Sequence, residues 1–261
     1  MPTMNDRRAP RSRLAYRIEA KADDRAEILI YDEIGADPWT GTGIGADDFV
    51  RELRAIKAPH IDVRINSVGG SVFDGNAIYN NLARHPARVD VYIDGIAASI
   101  ASVIAMAGAK IYIASNAYIM IHNPYGRVEW GDASDMRKMA DTLDTIRGSL
   151  IGTYARRTGH PIEKIGAWMD EERWFNAEEA VEFGFADEIV DGREIDARIA
   201  ACLCTYRNVP PALAARDAGD PEPEAVRDVE PEDAGEPTGP AAELVALAAE
   251  VERTLYRTAV L

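Results

Sequence analysis

The chain has 261 residues, of which 47% are hydrophobic and 28% charged, and its formal net charge at pH 7 is -15. This hydrophobic share predicts one substantial folded core. Because so acidic a chain repels phosphate backbones and anionic lipid surfaces, we expect neither nucleic acid nor a membrane as its main partner.

The sequence indicates no cofactor and no metal. Its two cysteines, Cys202 and Cys204, are too close for an ordinary disulfide and too few for a zinc site. The four histidines form no ligand cluster along the chain. No apolar run of secretory type follows the basic start, and residues 95–109 are shorter than the ~18 residues of a membrane span. We therefore expect a cytoplasmic location.

Strand and helix patterns alternate along the first two thirds of the chain, after a flexible lead-in expected at residues 1–11. Strict apolar alternation predicts strands, and apolar residues at helical spacing predict helices. Strands that alternate with helices imply a largely parallel sheet of the α/β class. The predicted strands lie at residues 14–18, 27–31, 61–65, 89–93, 111–113 and 118–121, and the helices at residues 49–56, 73–82, 97–107 and 133–157.

The composition changes near the end of the predicted catalytic domain, which we place at residues 12–200. Residues 208–240 combine prolines, glycines and alanines with many acidic side chains, which predicts a disordered acidic linker. Apolar residues at helical spacing then predict a short helix at residues 241–258.

Two residues suit nucleophilic catalysis. Ser99 follows a predicted strand at the start of a small-residue helix, and His122 ends an apolar strand before a proline-containing loop. A serine nucleophile needs a histidine base within reach and donors for the oxyanion. The turn that ends at Gly70 supplies a glycine pair whose backbone can approach another chain closely. Each residue taken alone also fits a structural role: a capping serine, a core histidine and a simple turn.

Together these segments resemble a known family. "INSVGGSV", "GIAASIAS", "MIHNP" and "WFNAEEAVEFGFADEIV" occur in the order and approximate spacing of the Clp protease proteolytic subunit (ClpP). They resemble more closely its relatives from tailed phages and prophages, the ClpP-like head maturation proteases. The resemblance covers roughly residues 27–190. It implies a crotonase-like α/β spiral of βαβ units with a handle helix, and rings assembled around a proteolytic chamber.

The resemblance also implies the roles of individual residues. Ser99 is the nucleophile, His122 the base, and the backbone amides of Gly70 and Ile100 the oxyanion donors. The family aspartate falls at Glu172, whose side chain is longer. Asp170 is the alternative third member of the triad, because an extended chain would turn Asp170 and Glu172 to the same side. Val68 replaces the usual proline before the glycine pair.

The sequence thus predicts a serine endopeptidase that forms a homo-oligomer and cleaves protein or peptide substrates. The phage-type resemblance and the acidic tail favour a head maturation protease acting on capsid or scaffold proteins. The alternative is the proteolytic subunit of an ATP-dependent Clp-type protease, in which a separate unfoldase hydrolyses ATP, since this chain has no nucleotide-binding loop. A crotonase-fold acyl-CoA enzyme and a non-catalytic assembly module are the competing classes.

Overall fold

A computed structural model describes residues 16–22, 24–36, 43–128, 130–192 and 206–214. All of them belong to the first of two compact units, Met1–Asp220, and the second unit is Pro221–Leu261. Four predicted features lie outside the described residues: the lead-in at residues 1–11, both cysteines, the linker beyond residue 214 and the helix at residues 241–258. Those expectations stay predictions.

The described chain forms eight strands and seven helices. The strands are β1 (Tyr16–Ala22), β2 (Arg25–Ile30), β3 (His60–Ser67), β4 (Arg88–Ala98), β5 (Lys110–Ala114), β6 (Tyr118–Ile121), β7 (Arg173–Phe175) and β8 (Glu188–Val190). The helices are α1 (Ala46–Ala55), α2 (Val72–Ala83), α3 (Ile100–Ala105), α4 (Ala133–Thr158), α5 (Ile162–Asp170), α6 (Ala177–Glu182) and α7 (Pro211–Ala214).

The strands join in one sheet of order β1-β2-β3-β4-β5-β8, with β6 paired to the end of β4 and β7 paired to β6. Pairing from β2 through β8 and between β4 and β6 is parallel. Only the β1–β2 and β6–β7 pairs are antiparallel within the described sheet. The predicted α/β class and the largely parallel sheet are therefore confirmed.

The two faces of the sheet differ because apolar and polar residues alternate along its strands. In β3 the side chains of Ile61, Val63 and Ile65 are fully buried in the core, where helices pack. The residues between them point to the other face and form ion pairs with neighbouring strands. These pairs are Arg25–Asp62, Arg64–Asp94 and, between β5 and β8, Lys110–Glu188.

Two stretches differ from the sequence prediction. The helix predicted at residues 97–107 is shorter, because β4 continues to Ala98, where its last residues pair with β6. Residues 208–214, predicted as the start of the linker, are described and carry α7, with Leu213 only 7% exposed. In the described part of the chain, no helix is long and apolar enough to cross a membrane.

Candidate active site

The ends of two adjacent strands bring Ser99 and His122 together. Ser99 directly follows β4, and His122 directly follows β6. The parallel register pairs Ala98 with Met120, so Ser99, one residue beyond this pair, and His122, two residues beyond it, lie at the same end of the sheet. The Oγ atom of Ser99 lies 2.7 Å from Nε2 of His122, the hydrogen-bond distance that a nucleophile and its base require.

The backbone of Ser99 is strained. Its φ of 53° and ψ of -129° lie outside the regions that residues with a side chain normally adopt. Three hydrogen bonds hold this conformation: the Ser99 amide donates to the Met120 carbonyl, and the Ser99 carbonyl accepts from the amide and the hydroxyl of Ser102. Such strain persists only where surrounding structure enforces it, and it is common at functional sites. A sharp strand-to-helix turn of this kind exposes a nucleophilic hydroxyl.

The predicted oxyanion donors lie beside Ser99. Gly69 and Gly70 have φ values of 98° and 139°, which glycine adopts without a steric cost. A Cβ atom on Gly69 would lie 2.7 Å from Cβ of Ser99, so the glycine turn contacts the nucleophile directly. The Gly70 amide finds no acceptor among the described residues. The Ile100 amide belongs to the first residue of α3, where helix geometry provides no acceptor.

Two polar side chains fix the position of this glycine turn. The Oδ1 atom of Asn66 accepts a hydrogen bond of 3.1 Å from the amide of Ile96 in β4. The hydroxyl of Ser67 donates to the carbonyl of Asp32 and accepts from the amide of Gly69. Both side chains are buried, so the turn is tied to the strands on either side.

Glu172 lies opposite His122. The antiparallel register pairs Ile121 with Arg173, so the residues just beyond this pair, His122 and Glu172, face each other. Glu172 is 8% exposed, and its φ of 50° is the only positive value besides that of Ser99 among the described residues other than glycine. No hydrogen bond joins its carboxylate to Nδ1 of His122 in the described structure. Instead its Oε1 atom accepts hydrogen bonds from the backbone amides of Arg207 and Asn208, at 2.6 and 2.9 Å.

Asp170 occupies a different environment. It is the last residue of α5, so the extended stretch that would align it with Glu172 does not form. Its side chain is 59% exposed and pairs with Arg147 at 2.9 Å. Its Oδ1 atom also accepts a hydrogen bond from the side-chain amide of Asn123. The bonds from Asn123 and Arg147 lower the pKa of Asp170, so its charge is already satisfied at the protein surface.

The protonation of His122 is set by its surroundings. Burial lowers the pKa of His122 below its ordinary value of 6.5, because a buried imidazolium loses solvation. The negative charge of Glu172 raises this pKa, and the positive charge of Arg207 lowers it. A neutral imidazole near pH 7 can accept the proton of Ser99, which is what a general base must do.

The sequence prediction missed the segment that covers this site. Residues 206–213, here called the strap, contact both the residue before the glycine pair and Glu172. Tyr206 packs edge-on against the His122 ring, at 5.5 Å between ring centroids, and its hydroxyl donates to the Val68 carbonyl. The only sequence signal for the strap is a few apolar residues, among them Tyr206 and Leu213, around a stretch with linker composition.

A cavity of about 340 Å³ remains open beside His122 and the strap, and it is also lined by Tyr125, Met169 and Glu172. Among the described residues, no group of three or more histidine, cysteine or acidic side chains could hold a metal ion. The groups that converge on this site are thus a serine, a histidine, backbone amides and a carboxylate, the set used in acyl transfer by a serine nucleophile.

Comparison with known proteins agrees with this geometry. The Clp protease family model matches residues 16–193. The chain is 37% identical to the ATP-dependent Clp protease proteolytic subunit 1 of Mycobacterium leprae over 141 residues, which are 53% of this chain and 70% of that protein. It is 39% identical to the proteolytic subunit 2 of Thermobifida fusca over 151 residues, 56% and 74% of the two chains. The chain therefore belongs to the Clp protease family and is a serine peptidase.

Proposed function

We propose that this chain is an endopeptidase in which Ser99 attacks the scissile carbonyl and His122 takes the hydroxyl proton. The observation that carries the proposal is the 2.7 Å contact between Ser99 Oγ and His122 Nε2 at a strained backbone position. The amides of Gly70 and Ile100 stabilise the oxyanion of the tetrahedral intermediate. His122 then returns the proton to the leaving amine, and a water molecule hydrolyses the acyl-enzyme by the same route.

We assign the third position of the triad to Glu172. Its burial and its register opposite His122 support this role, and the exposure of Asp170 argues against the alternative. A carboxylate at this position holds the imidazole in the correct tautomer and stabilises the imidazolium that forms during the reaction.

The proposed setting is the proteolytic subunit of a Clp-type protease. The relatives reported above are named proteolytic subunits of ATP-dependent Clp proteases, so they favour this alternative over head maturation. In this setting the chain forms rings around a proteolytic chamber through a crotonase-like spiral with α4 as the handle helix, and a separate ATP-driven unfoldase delivers substrates. Nothing in the site favours acyl-CoA chemistry, which has no need of a Ser–His pair.

A fluorophosphonate probe, which reacts covalently with activated serines, tests the proposal. We expect mass spectrometry to find the label on Ser99 of the full chain. Ser99→Ala should lose the label and about a million-fold in kcat, because no covalent step remains. Ser149→Ala is the matched control, since this serine is exposed on α4 and should leave labelling unchanged. A label on another serine, or wild-type cleavage by Ser99→Ala, would disprove the assignment.

A further inference from the structure

The strap makes four kinds of contact with the candidate site. Its Tyr206 hydroxyl bonds to the Val68 carbonyl, and the Tyr206 ring packs against His122. Its Arg207 and Asn208 amides bond to Glu172. Further along, Leu213 is buried in a small apolar cluster at the junction of β4 and β6. These contacts reach the glycine turn, the base and the carboxylate, so a single segment touches three parts of the proposed machinery.

The contact at Val68 lies where an extended substrate is expected. Val68 immediately precedes Gly69 and Gly70, whose backbone approaches the nucleophile closely. Backbone carbonyls beside such a turn are the acceptors with which an extended peptide pairs. The Tyr206 hydroxyl already occupies one of them, so a peptide that needs this acceptor must displace the tyrosine.

The contacts at Glu172 leave His122 without its third partner. One carboxylate oxygen of Glu172 accepts hydrogen bonds from two backbone amides of the strap. No carboxylate of the described chain forms a hydrogen bond with Nδ1 of His122. Hydrogen bonds from amides to a charged carboxylate are stronger than bonds between neutral groups. While the strap is bound, the amides of Arg207 and Asn208 therefore compete with His122 for Glu172.

Few side chains of the strap are buried. Arg207, Asn208 and Pro211 are exposed, and Leu213 is the one buried side chain among the strap residues that the structure describes. The ring of Trp174 packs against Tyr206, and its buried indole nitrogen has no hydrogen-bond partner among the described residues. A segment with few buried contacts opens locally at little cost. This indole N–H is a donor without an acceptor, so it could donate a hydrogen bond to another ligand bound in place of the strap.

We propose that residues 206–213 are a tethered inhibitor, which occupies the peptide groove and holds Glu172 away from His122 until a substrate displaces it. This proposal rests on the proposed function, since it requires the groove to bind extended peptides. The occupant is this chain's own strap, and the competing ligand is an extended protein segment of the kind that the enzyme cleaves.

Release of the strap in the full chain is the central test. Tyr206→Ala combined with Asn208→Pro removes the ring, the hydroxyl, one of the two amides that hold Glu172 and the side-chain bond from Asn208 to the Glu171 carbonyl. We expect kcat/KM for a short peptide to rise about ten-fold or more, because three hydrogen bonds that hold the strap are lost. Tyr206→Phe keeps the ring and loses the hydroxyl that bonds to the Val68 carbonyl, so its rise should be smaller.

The pH profile gives an independent readout. Burial and the charge of Arg207 lower the pKa of His122, whereas Glu172 raises it. The other charged residue that lines the cavity, Asp170, is paired with Arg147. Release removes the charge of Arg207 and the cover of the Tyr206 ring and so weakens both lowering effects, and the acidic limb of kcat/KM should therefore move to higher pH. A purely structural role of the strap would lower activity without this shift.

A peptide added in trans tests the groove as a binding site. The synthetic peptide YRNVPPAL, which has the sequence of residues 206–213, should inhibit the released variant competitively. The same peptide with its tyrosine replaced by alanine should inhibit much less. Should the released variant fail to fold, hydrogen exchange in the wild-type chain replaces it: the amides of Arg207 and Asn208 should exchange faster once the fluorophosphonate occupies Ser99.

The outcomes separate the two proposals. Equal kcat/KM and equal labelling rates of wild type and a folded released variant would overturn the inhibitor and leave the serine peptidase intact. Lower activity in a folded released variant would also overturn it, since the strap would then support catalysis. Unchanged exchange at Arg207 and Asn208 after labelling would count against displacement. If neither chain hydrolysed peptides or took the label, the proposed function itself would fail.

Discussion

At the scale of single residues, backbone strain coincides with the proposed chemistry. Within the described chain, Ser99 and Glu172 are the two residues other than glycine with positive φ, and His122 lies between them. Ser99 directly follows β4 and Glu172 directly precedes β7, and both of these strands pair with β6. A strained φ of this kind costs about 1–3 kcal/mol, which selection tolerates where the side chain has a task. The strain supports the triad assignment independently of the resemblance.

Substitution of the two acidic candidates distinguishes their roles. Glu172→Gln should reduce kcat by about four orders of magnitude, because the neutral amide cannot stabilise the imidazolium of His122. Asp170→Asn should change kcat little, because Asp170 is exposed and bound to Arg147. Steady-state peptide hydrolysis in the strap-released background measures both effects without competition from the strap amides.

The opposite ranking of these two variants would move the role to Asp170. Two variants with nearly normal turnover would mean that Ser99 and His122 act as a dyad. Circular dichroism must show that both variants are folded, since Glu172 is buried and its carboxylate accepts two backbone amides.

The sequence was informative about residues whose neighbours carry a pattern. Ser99, His122 and the Gly69–Gly70 pair each end a strand with clear apolar alternation, so their meeting at one sheet edge was predictable. The hypothesis for Asp170 assumed an extended chain before β7. The structure differs because α5 continues to Asp170, with Ile165, Trp168 and Met169 buried on its inner face. Local alternation could not reveal a helix end that tertiary packing determines.

At the scale of elements, the close approach of α2 to α3 positions a proposed oxyanion donor. Gly75 of α2 lies against Ile100, the first residue of α3. A Cβ atom on Gly75 would lie 2.2 Å from Cγ1 of Ile100 and 3.3 Å from its Cβ. The isoleucine side chain branches next to its backbone, so the two helices would have to move apart.

Gly75→Ala should therefore reduce both stability and activity. Overpacking of this kind typically costs about 1–3 kcal/mol, which thermal unfolding measures as a lower Tm. Displacement of the Ile100 amide should lower kcat more than it changes KM, since an oxyanion donor acts mainly in the transition state. Gly148→Ala on α4 is the matched control, because no atom lies within 4 Å of its added Cβ. An equal effect of both substitutions would contradict the packing argument.

Buried hydrogen bonds also link α4 to the nucleophile. The hydroxyl of Tyr154 lies 2.8 Å from Oγ of Ser102, which in turn donates to the carbonyl of Ser99. Burial raises the pKa of the Tyr154 hydroxyl, so this group stays protonated and can donate. The long helix is thus connected to the strained turn by two bonds, and this connection was not apparent from the sequence.

The ends of strands and helices are predicted less well from sequence patterns than their centres. β4 extends to Ala98 because its last residues pair with β6, a contact between strands distant in sequence. The strap was missed for a related reason. Prolines and polar residues from Asn208 onward have linker composition, yet Leu213 finds an apolar cluster formed by other elements. Composition describes what a segment can bury alone and contains no information on a partner surface.

At the scale of the whole molecule, the described chain exposes several large apolar side chains near α4. Trp130 is 95% exposed, and Met136 on the first turns of the helix is 48% exposed. Large apolar groups clustered at a surface favour contact with another protein. We therefore expect this surface to mediate contacts between copies of the chain.

Light scattering on the purified full chain should report a mass several times the 28.5 kDa of one copy. Trp130→Ser combined with Met136→Ser should shift the population toward smaller species, because it removes apolar surface that association would bury. Thr145→Ala is the matched control on the same helix: this threonine is exposed, and its hydroxyl bonds to the Asp141 carbonyl within α4. Peptidase activity measured across the same fractions should follow the larger species. A stable monomer of the wild-type chain with full activity would show that neither the exposed apolar surface nor assembly is needed for catalysis.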